Sequence, residues 1–169
     1  MGSPDVSEFE PGPALQTLAR HGVDFVLIGG IAAIVLGSSY STSDVDVAYA
    51  RDRANLERLA DALAELGARL RGAPADVPFR LDADTLEAGL NFTFETKGGN
   101  LDVFGEPTGA PAYAELKRRS SMERIEGVEI RVASIDHLIA MKEAAGREKD
   151  RLLASQLRTL SDALRRPKA

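Results

Sequence analysis

The sequence predicts an α+β chain: short strands interleaved with helices, followed by a helical C-terminal segment. Three observations predict it. The β-branched run Val23 to Ile28 is broken by Gly29-Gly30, which opens a helix. Asp44-Val45-Asp46-Val47 alternates polar and apolar residues with the period of a strand. Beyond Ser134 the leucines recur at helical spacing to the end of the chain. With 169 residues, 44% of them hydrophobic, the chain is long enough for one core and reads as a single domain. Within it, residues 1–13 form a flexible, proline-bearing N-terminal segment, 14–133 the core, and 134–169 a helical segment completing the site.

In chain order, Ala14 to His21 has Leu15, Leu18 and Ala19 on one helical face and stops at Gly22. The first strand, Val23 to Ile28, then feeds a helix from Ile31 to Leu36 that ends at Gly37. After a polar turn comes the Asp44–Val47 strand. Asp52 is placed to cap a helix from Arg53 to Leu66, with Leu56, Leu59, Leu63 and Leu66 inward. Residues 71–74 are a turn, Val77 to Leu81 reads as extended, and Asp82 starts a helical turn. Asp82 and Asp84 copy the spacing of Asp44 and Asp46, but they sit in a helix-cap pattern and read as capping residues. Leu90 to Thr96 and Leu101 to Phe104 are strands joined through Lys97-Gly98-Gly99-Asn100. A short helix, Ala112 to Arg119, precedes a strand pair around Glu126-Gly127. Ser134 caps the next helix, whose apolar face carries Ile135, Leu138 and Ile139. The last helix puts Leu152, Leu153, Leu157, Leu160 and Leu164 into its stripe. His21 and His137 read as structural.

The chemistry gathers at the second strand. Residues two apart in a strand share a face, so Asp44 and Asp46 project together while their valine neighbours go inward. Adjacent carboxylates repel, and a divalent cation relieves the repulsion. Gly29-Gly30 at a helix start offers free main-chain N–H groups, which suit a phosphate. A phosphate cradle beside a carboxylate pair is what phosphoryl or nucleotidyl transfer requires. Spacing alone equally describes a packing turn with two solvated aspartates. Asp102 lies between apolar neighbours in a short strand, where a carboxylate is costly unless paired or metal-bound. With an antiparallel sheet at that point it would join Asp44 and Asp46; the alternative is a salt-bridged edge position.

Composition excludes other chemistries. The absence of cysteine rules out disulfides, zinc–thiolate sites and thiol nucleophiles, and suits a reducing compartment. No apolar run is long enough to span a bilayer, so the expectation is a cytoplasmic protein with no membrane contact. The net charge of −5 divides unevenly. Residues 1–116 carry 8 basic and 18 acidic side chains, whereas residues 117–169 carry 13 basic and 8 acidic ones. The basic third has the charge to face a triphosphate or RNA.

The order strand, Gly29-Gly30, helix, Gly37-Ser38, Thr42-x-Asp44-x-Asp46 resembles the nucleotidyltransferases of the DNA polymerase β superfamily, and within them the AbiEii/MenT-type toxin branch. Residues 134–142 and Gly146-Arg147-Glu148-Lys149-Asp150 are similar to the same branch, in which a helix ending in Lys precedes Arg-x-Lys-Asp. The chain departs from the branch at Tyr40, where Arg is common, and at Leu153, where a further Asp is common. The resemblance implies a nucleotidyltransferase fold with a mixed twisted sheet and flanking helices. It implies Mg²⁺, with Mn²⁺ as substitute, on Asp44, Asp46 and Asp102, the last as third ligand or general base. Catalysis would rest on Asp44, Asp46, Asp102 and Lys142. The nucleotide would lie on Gly29, Gly30, Ser38, Thr42, Lys142, Arg147, Lys149 and Asp150. The hydroxyls of Ser38 and Thr42 fit equally well as turn caps. The implied reaction moves a nucleoside monophosphate from a nucleoside triphosphate to the 3′ end of tRNA, with a cognate antitoxin protein as partner. Two other readings stay open: a non-catalytic nucleotide- or partner-binding regulator, and transfer to a protein hydroxyl or a small aminoglycoside-like alcohol.

Overall fold

A computed structural model describes residues 11–39, 41–74 and 76–167. Tyr40 and residues 1–10, and with them most of the predicted N-terminal segment, lie outside the described residues. Among the described residues, seven helices and seven strands follow in chain order. They are α1 (Gly12–Arg20), β1 (Phe25–Ile28), α2 (Gly29–Val35), β2 (Asp44–Tyr49), α3 (Arg53–Glu65), β3 (Arg69–Leu70) and α4 (Ala83–Ala88). Then come β4 (Asn91–Thr96), β5 (Gly99–Phe104), α5 (Tyr113–Arg118), β6 (Ser121–Ile125), β7 (Val128–Val132), α6 (Ile135–Ala145) and α7 (Glu148–Arg165).

The strands form one sheet in the order β3-β4-β5-β2-β1-β7-β6. Its centre is mixed: β1 runs antiparallel to β2 and parallel to β7, and β2 runs parallel to β5. The fully buried run of β1 and the buried residues Val45, Val47, Leu101 and Val103 explain why these strands are central, since a strand covered on both sides must be apolar. The β4–β5 and β6–β7 hairpins close at Lys97-Gly98 and Glu126-Gly127 as the turn residues predict. The fold is thus the mixed sheet with flanking helices and a helical C-terminal segment that the sequence implies.

Caps set the helix starts. Asp52, Asp82 and Ser134 accept hydrogen bonds from the main-chain N–H of Asn55, Thr85 and His137. Asp82 is the cap the sequence predicts, whereas Asp84 makes an ion pair with Arg53 in place of the expected cap.

Three further details depart from the sequence reading. β2 pairs with β5 in parallel, not antiparallel, and the register Asp46 opposite Asp102 brings the aspartates together. Val77 to Leu81 forms no strand: Pro78 lacks an N–H to give a ladder, and Phe79 instead packs on Phe92 and Phe94 with ring centroids 6.4 and 6.1 Å away. The stripe of α7 is narrower than predicted, because Leu153 and Leu157 are buried while Leu152 and Leu164 are 62% and 66% exposed.

Candidate active site

Strand register assembles the carboxylates. Asp46 stands directly opposite Asp102 on one side and Ile28 on the other, while Asp44 faces Asn100. Asn100 and Asp102 therefore repeat on β5 the two-residue spacing of Asp44 and Asp46 on β2. The Asn100 amide donates to Asp44 Oδ1 at 3.1 Å and fixes that side chain. The Thr42 hydroxyl accepts from the Asp44 main-chain N–H at 3.3 Å, which closes the turn into β2.

Gly29 lies against this pair. It is the first residue of α2, with φ at +71°, and a Cβ there would run into the carboxylate and Cβ of Asp46. Both the left-handed backbone and the close approach require glycine. The first turn of α2, Gly29 and Gly30, is thereby held beside Asp46.

The electrostatics are unbalanced. Burial, the neighbouring Asp102 and Asp44 together push the Asp46 carboxyl up to about 7, with Lys142 acting against the rise. Burial also raises the Asp102 carboxyl, opposed by Arg71, whose Nη2 donates to Asp102 Oδ1 at 2.6 Å. Three carboxylates on two adjacent strands thus hold more negative charge than nearby side chains neutralise. Asp44 and Asp46, adjacent on one face and, among the described residues, without a cationic partner in hydrogen-bond contact, are oxygen donors of the kind a hard divalent cation takes, so this pair fits Mg²⁺ or Mn²⁺.

A cleft of about 200 Å³ opens from Asp46 and Gly29. Ile28, Phe104, Leu138 and Met141 give it an apolar wall, and Asn91, Thr108, Lys142 and Arg147 give it polar groups. Lys142 comes from α6 and Arg147 from the turn between α6 and α7. Both are braced by Asp150, which is only 1% exposed. Asp150 accepts from Lys142 Nζ at 3.5 Å, from Arg147 Nε at 2.7 Å and from the Arg147 main-chain N–H at 3.3 Å. Burial alone would raise the Asp150 carboxyl, but Arg147 and Lys142 hold it below the ordinary carboxylate range.

Of the predicted site residues, Gly29, Asp46, Lys142 and Arg147 line this cleft, and Asp44 and Asp102 stand beside Asp46 on β2 and β5. Asp150 sits behind them as a brace, Thr42 caps β2, and Lys149 is exposed on α7 outside the cleft lining. Ser38 is half-buried after α2, its main-chain N–H bound to the Ala33 carbonyl. Sequence reasoning missed Arg71 and Asn100. The matching two-residue spacing of Asn100 and Asp102 is a signal for Asn100. Arg71 offers none, because it only follows β3, a strand of two residues with no periodicity to read.

No protein-family model matches the sequence, and no curated protein matches it. Solved structures do resemble it in fold. The lincomycin-bound lincosamide antibiotic adenylyltransferase LnuA aligns at a TM-score of 0.58 and 13% identity, covering 86% of this chain and 92% of that one. A Thermotoga maritima protein provisionally assigned as a nucleotidyltransferase aligns at 0.54 and 14% identity, over 89% of each chain. An antigenic nucleotidyltransferase-like protein from Paracoccidioides brasiliensis aligns at 0.50 and 16% identity, over 94% of this chain and 77% of that one. The chain therefore has a nucleotidyltransferase fold.

Proposed function

We propose that the protein is a divalent-cation-dependent nucleotidyltransferase that moves a nucleoside monophosphate from a nucleoside triphosphate to an acceptor hydroxyl. One observation carries the reading: Asp46 faces Asp102 across adjacent strands, with Asp44 on the same strand and face as Asp46, at the mouth of a cleft containing Lys142. Asp44 and Asp46 would hold the cation, Mg²⁺ or Mn²⁺. When bound, such a cation would supply Lewis-acid stabilisation of the negative charge on the nucleotide's phosphates.

The chain's own groups supply the rest. The main-chain N–H groups of Gly29 and Gly30 and the ammonium of Lys142 neutralise and orient the β- and γ-phosphates. Arg147 adds a second positive group at the cleft. The apolar wall excludes water from the reacting phosphorus, which keeps hydrolysis from competing with transfer. Asp102 takes the proton of the acceptor hydroxyl as its oxygen bonds to the α-phosphorus. The bond from that phosphorus to the bridging oxygen breaks, and pyrophosphate leaves with the electron pair.

For the acceptor, the sequence resemblance favours the 3′ end of tRNA, with the protein acting as a growth-inhibiting toxin and an antitoxin as its partner. A second reading, transfer to a small alcohol, is favoured by the charges of the basic C-terminal third. Lys117, Arg118, Arg124, Arg158 and Arg165 each form an ion pair inside the molecule, which leaves less positive surface for RNA. A fold neighbour that binds lincomycin agrees with it.

The test incubates the protein with Mg²⁺ and each labelled nucleoside triphosphate, against total tRNA, a panel of lincosamide and aminoglycoside alcohols, and the protein itself, with Asp44→Ala alongside. Label on one acceptor class, absent in Asp44→Ala, establishes the reaction and its site together. Nucleotide binding with no labelled product would instead identify a non-catalytic binding protein.

A further inference from the structure

Arg71 is the charged group of the site that neither the motifs nor the proposed reaction uses. Its main-chain N–H donates to the Thr93 carbonyl at 3.0 Å, which extends the short β3 edge by one residue. From there the side chain reaches across β4. Its Nη2 donates to Asp102 Oδ1 at 2.6 Å and to the Phe94 carbonyl at 3.1 Å. The pair is largely shielded, with side-chain exposures of 28% and 12%. The Arg71 Nε is buried without a hydrogen-bond partner, so only one arm of the guanidinium grips the carboxylate. That contact is short but less secure than a two-point pairing. The same carboxylate lies against that of Asp46.

A guanidinium and a divalent cation make opposed demands on one carboxylate. A cation such as Mg²⁺ binds oxygen at about 2.1 Å, and a guanidinium already at hydrogen-bond distance from that oxygen repels it. Among the described residues, no group of three His, Cys, Asp or Glu side chains is arranged to hold a metal ion, which is consistent with Asp102 being turned to Arg71. We propose that Arg71 competes with the divalent cation for Asp102, so that the cation is held by Asp44 and Asp46 while Asp102 is kept out of its coordination shell. Arg71 thereby sets the cation affinity of the site. The inference rests on the nucleotidyltransferase reading of the same residues.

The experiment needs no substrate. Mn²⁺ is titrated into the full chain and followed by electron paramagnetic resonance, for the wild type, Arg71→Met, Asp102→Asn and the double variant. Thermal unfolding checks that each variant is folded, and Arg71→Gln replaces Arg71→Met if the latter is not. The expected result is that Arg71→Met tightens Mn²⁺ binding roughly tenfold, as a further carboxylate ligand becomes available. Asp102→Asn alone weakens binding only modestly, as the loss of a nearby charge does, and the tightening by Arg71→Met is much smaller with Asn at 102. Unchanged or weaker binding in Arg71→Met overturns the proposal. So does equal tightening with Asn at 102, which would show a general effect of charge. So does loss of Mn²⁺ binding in Asp102→Asn alone, which would make Asp102 a ligand of the native site. These outcomes concern Arg71 alone if the wild type binds Mn²⁺ and transfers nucleotide. Absence of both would overturn the reading of the site and this inference with it.

Discussion

Asp46 has no counter-charge of its own, and this shapes how stability depends on pH. Its carboxyl lies at about 7 in the folded chain, against an ordinary unfolded value near 3.8. Between those values the folded state keeps a proton that the unfolded state has lost, so this group makes stability fall as pH rises from about 4 to about 7, and flatten above. Asp46→Asn removes the penalty. Thermal unfolding at pH 8 without divalent cations is expected to show Asp46→Asn more stable than wild type by roughly 1–2 kcal/mol, with the gain vanishing near pH 4. A variant less stable than wild type at pH 8 would contradict the assigned environment. Gly29 gives a second test at this scale. Gly29→Ala adds a Cβ against Asp46 at a φ of +71°, so it should cost roughly 1–3 kcal/mol in chemical denaturation and abolish nucleotide transfer. Asp44, Asp46 and Gly29 were legible in the sequence because each sits in a local pattern that geometry constrains. Arg71 was not: its role depends on which strand lies across the sheet, and a two-residue edge strand leaves no periodicity to read.

At the scale of elements, α6 and α7 deliver Lys142 and Arg147 to the cleft, and Asp150 locks the two helices at their joint. The helices run antiparallel: Asp150 in the first turn of α7 binds Lys142 near the end of α6, and Arg165 at the end of α7 binds Asp136 in the first turn of α6. Gly146 makes the reversal with a left-handed backbone, φ 70°. Removing Asp150 leaves Lys142 half-buried without its partner and uncaps α7. Asp150→Ala is therefore expected to lose roughly 2–4 kcal/mol of stability, and any folded remainder should show a raised KM for nucleotide. An unchanged KM would mean that Asp150 braces the helices without positioning Lys142. The register of α7 is testable on its own. Leu153→Ala should cost roughly 2–5 kcal/mol, whereas Leu152→Ala should fall within about 0.5 kcal/mol of wild type. The sequence shows α7 as a helix plainly, but it overstates the buried face. With 18 residues against 11 in α6, α7 outruns its partner, and Leu164 lies near its end with little left to cover it. Leu152 is adjacent to Leu153 and so is turned away from the buried face, where periodicity counts it and packing does not.

Across the whole molecule, the alternation of strands and helices was legible, because strand and helix periods are local. The parallel pairing of β2 with β5 was not, since it depends on everything placed between residues 49 and 99. Charge behaves the same way: the sequence shows a basic C-terminal third, and only the fold shows how much of that charge is internally paired. The acceptor question turns on this. An RNA acceptor is held through phosphates, and each phosphate neutralised releases counterions, so binding weakens steeply with salt. A small alcohol in the cleft, even one that carries amines, has no condensed counterion atmosphere to release, so its salt term is much smaller. With Lys117, Arg118, Arg124, Arg158 and Arg165 paired to acidic neighbours, fewer of the 13 cations remain to contact a polyanion. Transfer rates at subsaturating acceptor, measured from low to moderate salt at fixed nucleotide and Mg²⁺, should therefore change little for the true acceptor if it is a small alcohol. If the acceptor is tRNA, kcat/KM should fall by about an order of magnitude or more over the same range. Charge reversal at exposed Arg151 on α7 should then flatten the slope while leaving kcat unchanged. A steep slope insensitive to Arg151 would place the RNA on another face, and a flat slope with labelled tRNA would mean that the cleft recognises the terminal nucleotide alone.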